Sequence, residues 1–451
     1  VAALTTSGCG FNDDGEPSIH VSRANNVLVA SERGLGGGSD AWVRYDLLRT
    51  AKGAVGGSGA TACDLYYGGQ PNGAAGAGAS GGDVDTAFGS AALPTGNYPA
   101  YLASLNLGSV SVSRSLDNGA TWQTTPVVAG LPADDREWIA AFGATASLLT
   151  FHDIATNQID VTRSDDAGAT YAEISQAIPV TGPYSYAAMN NELGNIVIDH
   201  VNLPPQPAGL PIAFRAYQSF VAPSSPPNIT KHPECADPAL FVCGSLNEAF
   251  VSVSNDGGFT WTVKPIPCSV SGAGLDHQFP NVSVAPNGNL WETWSDDANV
   301  FAAVSTNQGN TWTCGKVSNG GRNVMPWIVA ATGGEDLVYY GAAGSNGPWY
   351  VYFAQNLSLT NPGNWSRTPV LPVHSGPVCE QGFTCSGDRQ LLDDFGVDVD
   401  FQSGWAHIAY SHDCTQPLGS LCTSGPSQLG GPSTYTGYAV QTGGPAIGNP
   451  N

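Results

Sequence analysis

Ser115-Leu116-Asp117-Asn118-Gly119-Ala120-Thr121-Trp122 is an octet that recurs three more times along this 451-residue chain. The other copies are Ser164-Asp165-Asp166-Ala167-Gly168-Ala169-Thr170-Tyr171, Ser254-Asn255-Asp256-Gly257-Gly258-Phe259-Thr260-Trp261 and Ser305-Thr306-Asn307-Gln308-Gly309-Asn310-Thr311-Trp312. Each fits Ser-x-Asp-x-Gly-x-Thr-Trp, with Asn307 and Tyr171 as the two departures. The residue types specify a tight hairpin. The Asp or Asn side chain caps backbone N–H groups, and the Gly supplies the positive φ that the turn needs. The Thr opens the next strand, and the aromatic ring packs beneath the loop. Four copies in register mark a repeat protein rather than a chance match.

The octet resembles the Asp-box, or bacterial neuraminidase repeat, of the sialidase-like β-propellers. The resemblance implies an all-β propeller with the octet between the third and fourth strands of a blade, away from the active-site face. It speaks to fold more than to chemistry.

A second pattern recurs around the octets: a polar cluster, a short apolar strand, a turn and another apolar strand. It appears at Glu16–Ala30, Asp135–Phe151, Asn191–Tyr217, Asp276–Trp294, Arg322–Tyr340 and Asp393–Tyr410. The count predicts a six-bladed β-propeller spanning residues 1–451. Its blades fall at about 14–130, 134–180, 189–268, 276–318, 322–372 and 391–442. The last blade lacks a fourth strand, and Ala2-Ala3-Leu4-Thr5-Thr6 is expected to supply it and close the ring, so that no sheet edge is left open. Two stretches read as insertions. Residues 50–100 are Gly/Ala-rich and residues 203–245 are Pro-rich, and the first is expected to form a substrate-facing lid.

Composition narrows the setting. With 15 basic and 37 acidic residues the formal charge is −22, which argues against nucleic acid or an anionic membrane as partner. No apolar run approaches the roughly 18 residues of a membrane span. Ten cysteines with short spacings favour an oxidising compartment. The expected pairs are Cys235–Cys243, Cys379–Cys385, Cys414–Cys422, Cys268–Cys314 and Cys9–Cys63. A start at Val1 reads as the processed end of a secreted protein.

In a propeller the inner strands all start on one face, so the residues just before them meet around the axis. Paired carboxylates there would suit glycoside hydrolysis, because crowded like charges raise one pKa and leave an acid beside a base or nucleophile. The catalytic candidates are Glu137, Glu192, Asp135, Asp276 and Asp394. The substrate-binding candidates are Arg136, Arg322, His277, Glu16, His152 and His412. A hard-cation site, with calcium as the candidate, would use the same carboxylates. The plainer account is that Asp and Asn at strand starts cap turns. Trp138, Trp327, Tyr184 and Tyr186 are available to stack on sugar rings.

The resemblance also implies a test. Sialidases grip the substrate carboxylate with three arginines, one in an Arg-Ile-Pro-like motif on the first inner strand, and use a Tyr–Glu pair and an Asp acid. This chain has Glu16-Pro17-Ser18-Ile19 at that position, and Arg136, Arg322 and Arg389 do not follow the family pattern. The sequence therefore points to a sialidase-like propeller acting on extracellular polysaccharide or glycoconjugate other than as a typical sialidase. The alternative is a non-catalytic glycan- or protein-binding or surface-structural propeller.

Overall fold

A computed structural model describes residues 3–7, 15–32, 38–44, 65–71, 82–106, 109–126, 134–153, 155–206, 211–226, 230, 245–275, 279–380, 385, 389, 391–413 and 434–451. After β1 (Ala3–Ser7), six four-stranded antiparallel meanders follow in chain order. Blade one is β2–β5 (Gly15–Val21, Val27–Glu32, Ser39–Arg44, Tyr66–Gly69), and blade two is β6–β9 (Val84–Phe88, Ala100–Asn106, Ser109–Ser115, Gln123–Pro126). Blade three is β10–β13 (Asp134–Phe142, Ala146–Asp153, Gln158–Ser164, Ala172–Gln176), and blade four is β14–β17 (Glu192–Asp199, Arg215–Ala222, Glu248–Ser254, Thr262–Pro265). Blade five is β18–β21 (Asn281–Val284, Leu290–Ser295, Val300–Ser305, Thr313–Lys316), and blade six is β22–β25 (Arg322–Ala331, Gly334–Ala342, Trp349–Asn356, Ser366–His374). Blade seven joins β26 (Gly396–Val399), β27 (Ala406–His412) and β28 (Tyr435–Gly443) to β1. Leu4 to Ser7 pair antiparallel with Gln441 to Tyr438, so the N-terminal strand closes the ring as expected.

The blades number seven, not six. The expected first unit at 14–130 is two blades, because the stretch read as a Gly/Ala-rich lid supplies β5 and β6 and ends where β7 begins. Val84-Asp85-Thr86-Ala87-Phe88 is a fully buried inner strand. Its small neighbours hid the alternation.

Neighbouring inner strands do not pair with each other, so each must find other partners for its edge N–H groups. Side chains supply them. Asp398 Oδ2 accepts from Val21 N at 2.6 Å, and Ser18 Oγ accepts from Thr86 N at 3.1 Å. Asp85 Oδ2 accepts from Ile139 N at 2.8 Å, and Asn195 Oδ1 accepts from Val282 N at 2.7 Å. Asn281 Oδ1 and Ser283 Oγ then accept from Ile328 N and Ala330 N. These bonds run from blade seven to one, one to two, two to three, four to five and five to six.

The four octets sit at the third hairpin of blades two to five. In the first, Asp117 Oδ1 accepts from Thr121 N at 2.8 Å, Asp117 Oδ2 accepts from Thr121 Oγ1, and Ser115 Oγ accepts from Gly119 N. Asn118 and Gly119 are both left-handed, with φ of 62° and 89°. In the fourth copy Asn307 keeps the Thr311 N contact and donates its amide to Thr311 Oγ1. The turns also bind the blades together. Arg114 donates to the carbonyls of Asp166 and Ala167 in the next octet, and Arg163 donates to those of Ile212 and Gly257. The Cys268–Cys314 disulfide links blades four and five, and Cys379–Cys385 closes a loop after blade six. The other three expected pairs involve residues outside those described.

Asn195 is 6% exposed and holds Val282 through both its N–H and its C=O. Asn195→Ala leaves that backbone donor and acceptor buried without partners, a loss of about 1–3 kcal/mol per group. A fall of about 2 kcal/mol in urea unfolding is the expected outcome; an unchanged midpoint would show that the inner-strand bond carries no weight.

Candidate functional site

Four inner strands carry a one-residue bulge near their start. The register slips between Gly15 and Ser18 in β2, Asp135 and Glu137 in β10, Leu193 and Ile196 in β14, and Val324 and Trp327 in β22. In three of them the extra residue is left-handed without being glycine: Glu16 at φ 46°, Arg136 at 43° and Met325 at 54°. Such strained positions persist only where their surroundings hold them. Here the bulges accompany a meeting of Glu16 and Arg136, from blades one and three, at the axis.

Arg136 is the hub. It is 2% exposed, and its Nη2 pairs with Asp394 from the start of blade seven. Its Nη1 stands 3.6 Å from Glu16 Oε2 and 3.8 Å from Asp83 Oδ2. The guanidinium lies over the Trp138 ring at 3.9 Å and the Phe279 ring at 4.8 Å, a cation–π arrangement that offsets part of its desolvation. Arg389 pairs with Asp393 and approaches Glu16 Oε1 at 3.8 Å, and Asp393 N donates to the same oxygen at 2.9 Å. Donor oxygens of Glu16, Glu32 and Asp83 lie within 4.8 Å of one another. The described residues thus place seven carboxyl groups, those of Glu16, Glu32, Asp83, Asp135, Glu137, Asp393 and Asp394, around two guanidinium groups.

Burial and crowding hold protons on this excess of acids. Glu32 is pushed up to about 8, first by burial and then by Asp83. Glu16 is raised well above the usual range by burial, with Asp83 and Glu32 adding to it. Glu137 is fully buried, neither of its oxygens has a hydrogen-bond partner, and burial followed by Asp83 raises it strongly. Asp394 goes up to about 7 through burial, despite Arg136. Asp135 also reaches about 7, through desolvation by the surrounding wall and then Asp83, although its own surface stays exposed at the rim.

The sequence candidates therefore divide. Glu137, Asp135, Asp394, Arg136 and Glu16 come together at the axis. Glu192 starts blade four's inner strand opposite Val221 and is not among the leading charges felt by Glu137, Asp135 or Asp394. Arg322 is held elsewhere, by Glu380 at 2.8 Å and Asp297 at 3.8 Å. His152 lies opposite Asp135 on the second strand, and His412 sits against the rings of Tyr410 and Tyr435; burial lowers each to about 4, which keeps both neutral. Asp276 and His277 lie outside the described residues. The sequence reading missed Asp83, which directly precedes β6 and would have been found had that strand been recognised. Trp138 is fully buried between Arg136 and Trp327 rather than open to a sugar. Tyr184 and Tyr186 remain partly exposed as a tilted pair.

A hard cation fits this cluster poorly. The three oxygens are close enough, but a buried guanidinium within 3.8 Å of two of them opposes a second positive charge.

Trp138 of blade three and Trp327 of blade six meet at 5.1 Å, and Phe279 joins Trp138 at 5.7 Å. Rings from blades so far apart in the ring meet only at the axis, so they divide the central channel. At the exit end of the inner strands a cavity of about 160 Å³ is lined by His20, Arg23, Asn195, His200, Trp327 and Asp398. Residues 447–451 strap its mouth: Ile447 bonds Gly404 and Gly333, and Asn451 bonds His200 and Asp199. This cavity is separate from the carboxyl cluster, which lies at the entry end.

No family model matches the chain, and no curated protein does. Solved structures similar to it include the α-L-arabinofuranosidase of Fusarium graminearum in complex with arabinobiose, 12% identical over 79% of this chain and 91% of that one, with a TM-score of 0.40. A xyloglucanase from Xanthomonas campestris is 14% identical over 92% of this chain and 55% of its own, with a TM-score of 0.49. The NanB sialidase from Streptococcus pneumoniae is 8% identical over 98% and 70%, with a TM-score of 0.40.

The proton affinities give a pH signature. Glu32, Asp135 and Asp394 have folded pKa values above the unfolded values of roughly 4. The native state therefore binds more protons than the unfolded state between about pH 4 and 8, and the stability they contribute is lost as pH rises through 7 to 8. His152 and His412 shift the other way, but their window closes near pH 6.5. Tm is expected to fall between pH 6.5 and 8.5, and to fall less in Glu32→Gln; equal slopes would mean that Glu32 holds no proton at neutrality.

Proposed function

We propose that this protein is a secreted, sialidase-like propeller that hydrolyses glycosidic bonds in extracellular polysaccharide or glycoconjugate at the entry-end carboxyl cluster. The observation that carries the reading is the approach of Glu16, Glu32 and Asp83 oxygens within 4.8 Å. That approach is closer than the roughly 5–5.5 Å between the two carboxyl groups of retaining glycosidases and far short of the roughly 6.5–9.5 Å of inverting ones, so the retaining arrangement is the nearer of the two. Glu32, protonated up to about 8, is assigned as the acid that protonates the leaving oxygen, with Asp83 as its partner carboxylate. Asp135 at the rim meets the incoming substrate. Glu137, Asp394 and Arg136 form the charged floor, with Glu16 bridging to Arg389.

The four octets, as Asp-box turns, take no part in this chemistry and serve as blade staples. A non-catalytic glycan-binding role is the second reading, and the depth of Glu16 and Glu137, at 1% and 0% exposed, favours it.

The test is reducing-end release from arabinan and a panel of other polysaccharides. Glu32→Gln and Asp83→Asn are each expected to lower kcat by about 10²–10⁴-fold with unchanged circular dichroism. No turnover on any polysaccharide would remove the hydrolase reading; full turnover in both variants would remove these assignments.

A further inference from the structure

Residues 177–191 carry the chain from β13, the outermost strand of blade three, to β14, the innermost strand of blade four. They therefore cross the entry face from rim to axis. The crossing is tied down: Asn191 donates to the carbonyls of Ala187 and Asn157, and Asn157 donates to that of Met189. Tyr184 and Tyr186 stand at the start of its short 3₁₀ turn, Ser185–Met189. Tyr184 meets Phe250 edge-on at 5.9 Å, and Phe250 stacks on Phe220 at 5.2 Å. The rings of Tyr184 and Tyr186 are 6.4 Å apart, and both keep part of their surface open.

Glu248 opens β16, opposite Ala222 and two residues before Phe250, so it leaves the same face of the sheet as that ring. It is 6% exposed, and among the described residues no ion pair or hydrogen bond reaches its carboxyl; burial alone raises it to about 7. Its charge is felt by Tyr186, whose hydroxyl is raised by burial and then by Glu248. A half-open ring platform beside an unpartnered carboxyl matches the two sides of a sugar. The C–H face lies on the aromatic, and the hydroxyls bond the carboxyl. A purely apolar ligand would leave Glu248 covered and unpaired.

β16 is the third strand of its blade, two inter-strand spacings or roughly 10 Å outward of β14. A single sugar ring seated at the carboxyl cluster does not reach that far, whereas a chain running outward over the crossing does. We infer that Tyr184, Tyr186 and Glu248 form an outlying sugar subsite on the entry face, so that the ligand is a glycan chain rather than a single terminal sugar. The inference rests on the glycan reading of the axial cluster, but it concerns the length of chain that is held rather than turnover.

The experiment is calorimetric titration with linear arabino-oligosaccharides and xyloglucan oligosaccharides of increasing length, alongside their turnover. Wild-type affinity is expected to rise about tenfold once the chain spans both places. Tyr186→Ala and Glu248→Ala are each expected to remove most of that gain, so that long and short members bind alike. Glu248→Ala leaves no described hydrogen-bond partner behind, so its Tm is expected to hold, and Tyr186→Phe, which keeps the ring, is expected to retain the gain. Affinity independent of length in wild type would overturn the inference, as would a full gain in both alanine variants. Length-dependent binding without turnover would sustain the inference while removing the hydrolase reading. Turnover with length-independent affinity would do the reverse, and no binding to any glycan would remove both.

Discussion

The constraint on which the molecule depends is the unpaired edge of seven inner strands. Each blade satisfies its own ladder, but the edge facing the axis has no neighbouring strand within hydrogen-bonding register. Asp85, Asn195, Asn281 and Asp398 meet that demand by accepting backbone N–H groups from the next blade. A polar side chain facing the axis is therefore first a structural requirement. The candidate site is assembled from the residues left over at the entry end, where the strands begin and the bulges break the ladder.

That origin explains why the site is so acidic. Inner strands begin with the polar residues that open a turn, and here the entry end places seven carboxyl groups around Arg136 and Arg389. Water is largely excluded from the floor, so the excess negative charge is relieved by retained protons. The aromatic plug of Trp138, Trp327 and Phe279 keeps this environment apart from the cavity at the exit end. One channel thus contains two chemically distinct compartments.

The sequence made particular elements plain and concealed others for identifiable reasons. The octets were legible because their chemistry is local: a Ser, an Asp or Asn, a left-handed pair and a Thr complete their bonds within eight residues. The closing strand was legible because the last repeat stopped one strand short. The second blade was not, because Val84–Phe88 sits between Gly-rich segments that resemble a loop. Missing that blade also hid Asp83, which stands among the charges acting on Glu16, Glu32, Asp135 and Glu137. Glu192 and Arg322 also open inner strands, but they lie before the bulge, and the residue that matches Arg136 in blade six is Met325, so the structure gives them other surroundings.

The amino-acid sequence by itself determined the repeat, the staple turns, the all-β character and the polar nature of the strand starts, since each follows from contacts within a few residues. Only the tertiary structure decided the number of blades, which side chains meet at the axis and which carboxyls keep their protons. Those properties depend on distances between residues as far apart as Glu16 and Asp394, and on a dielectric environment that exists only once the ring has closed.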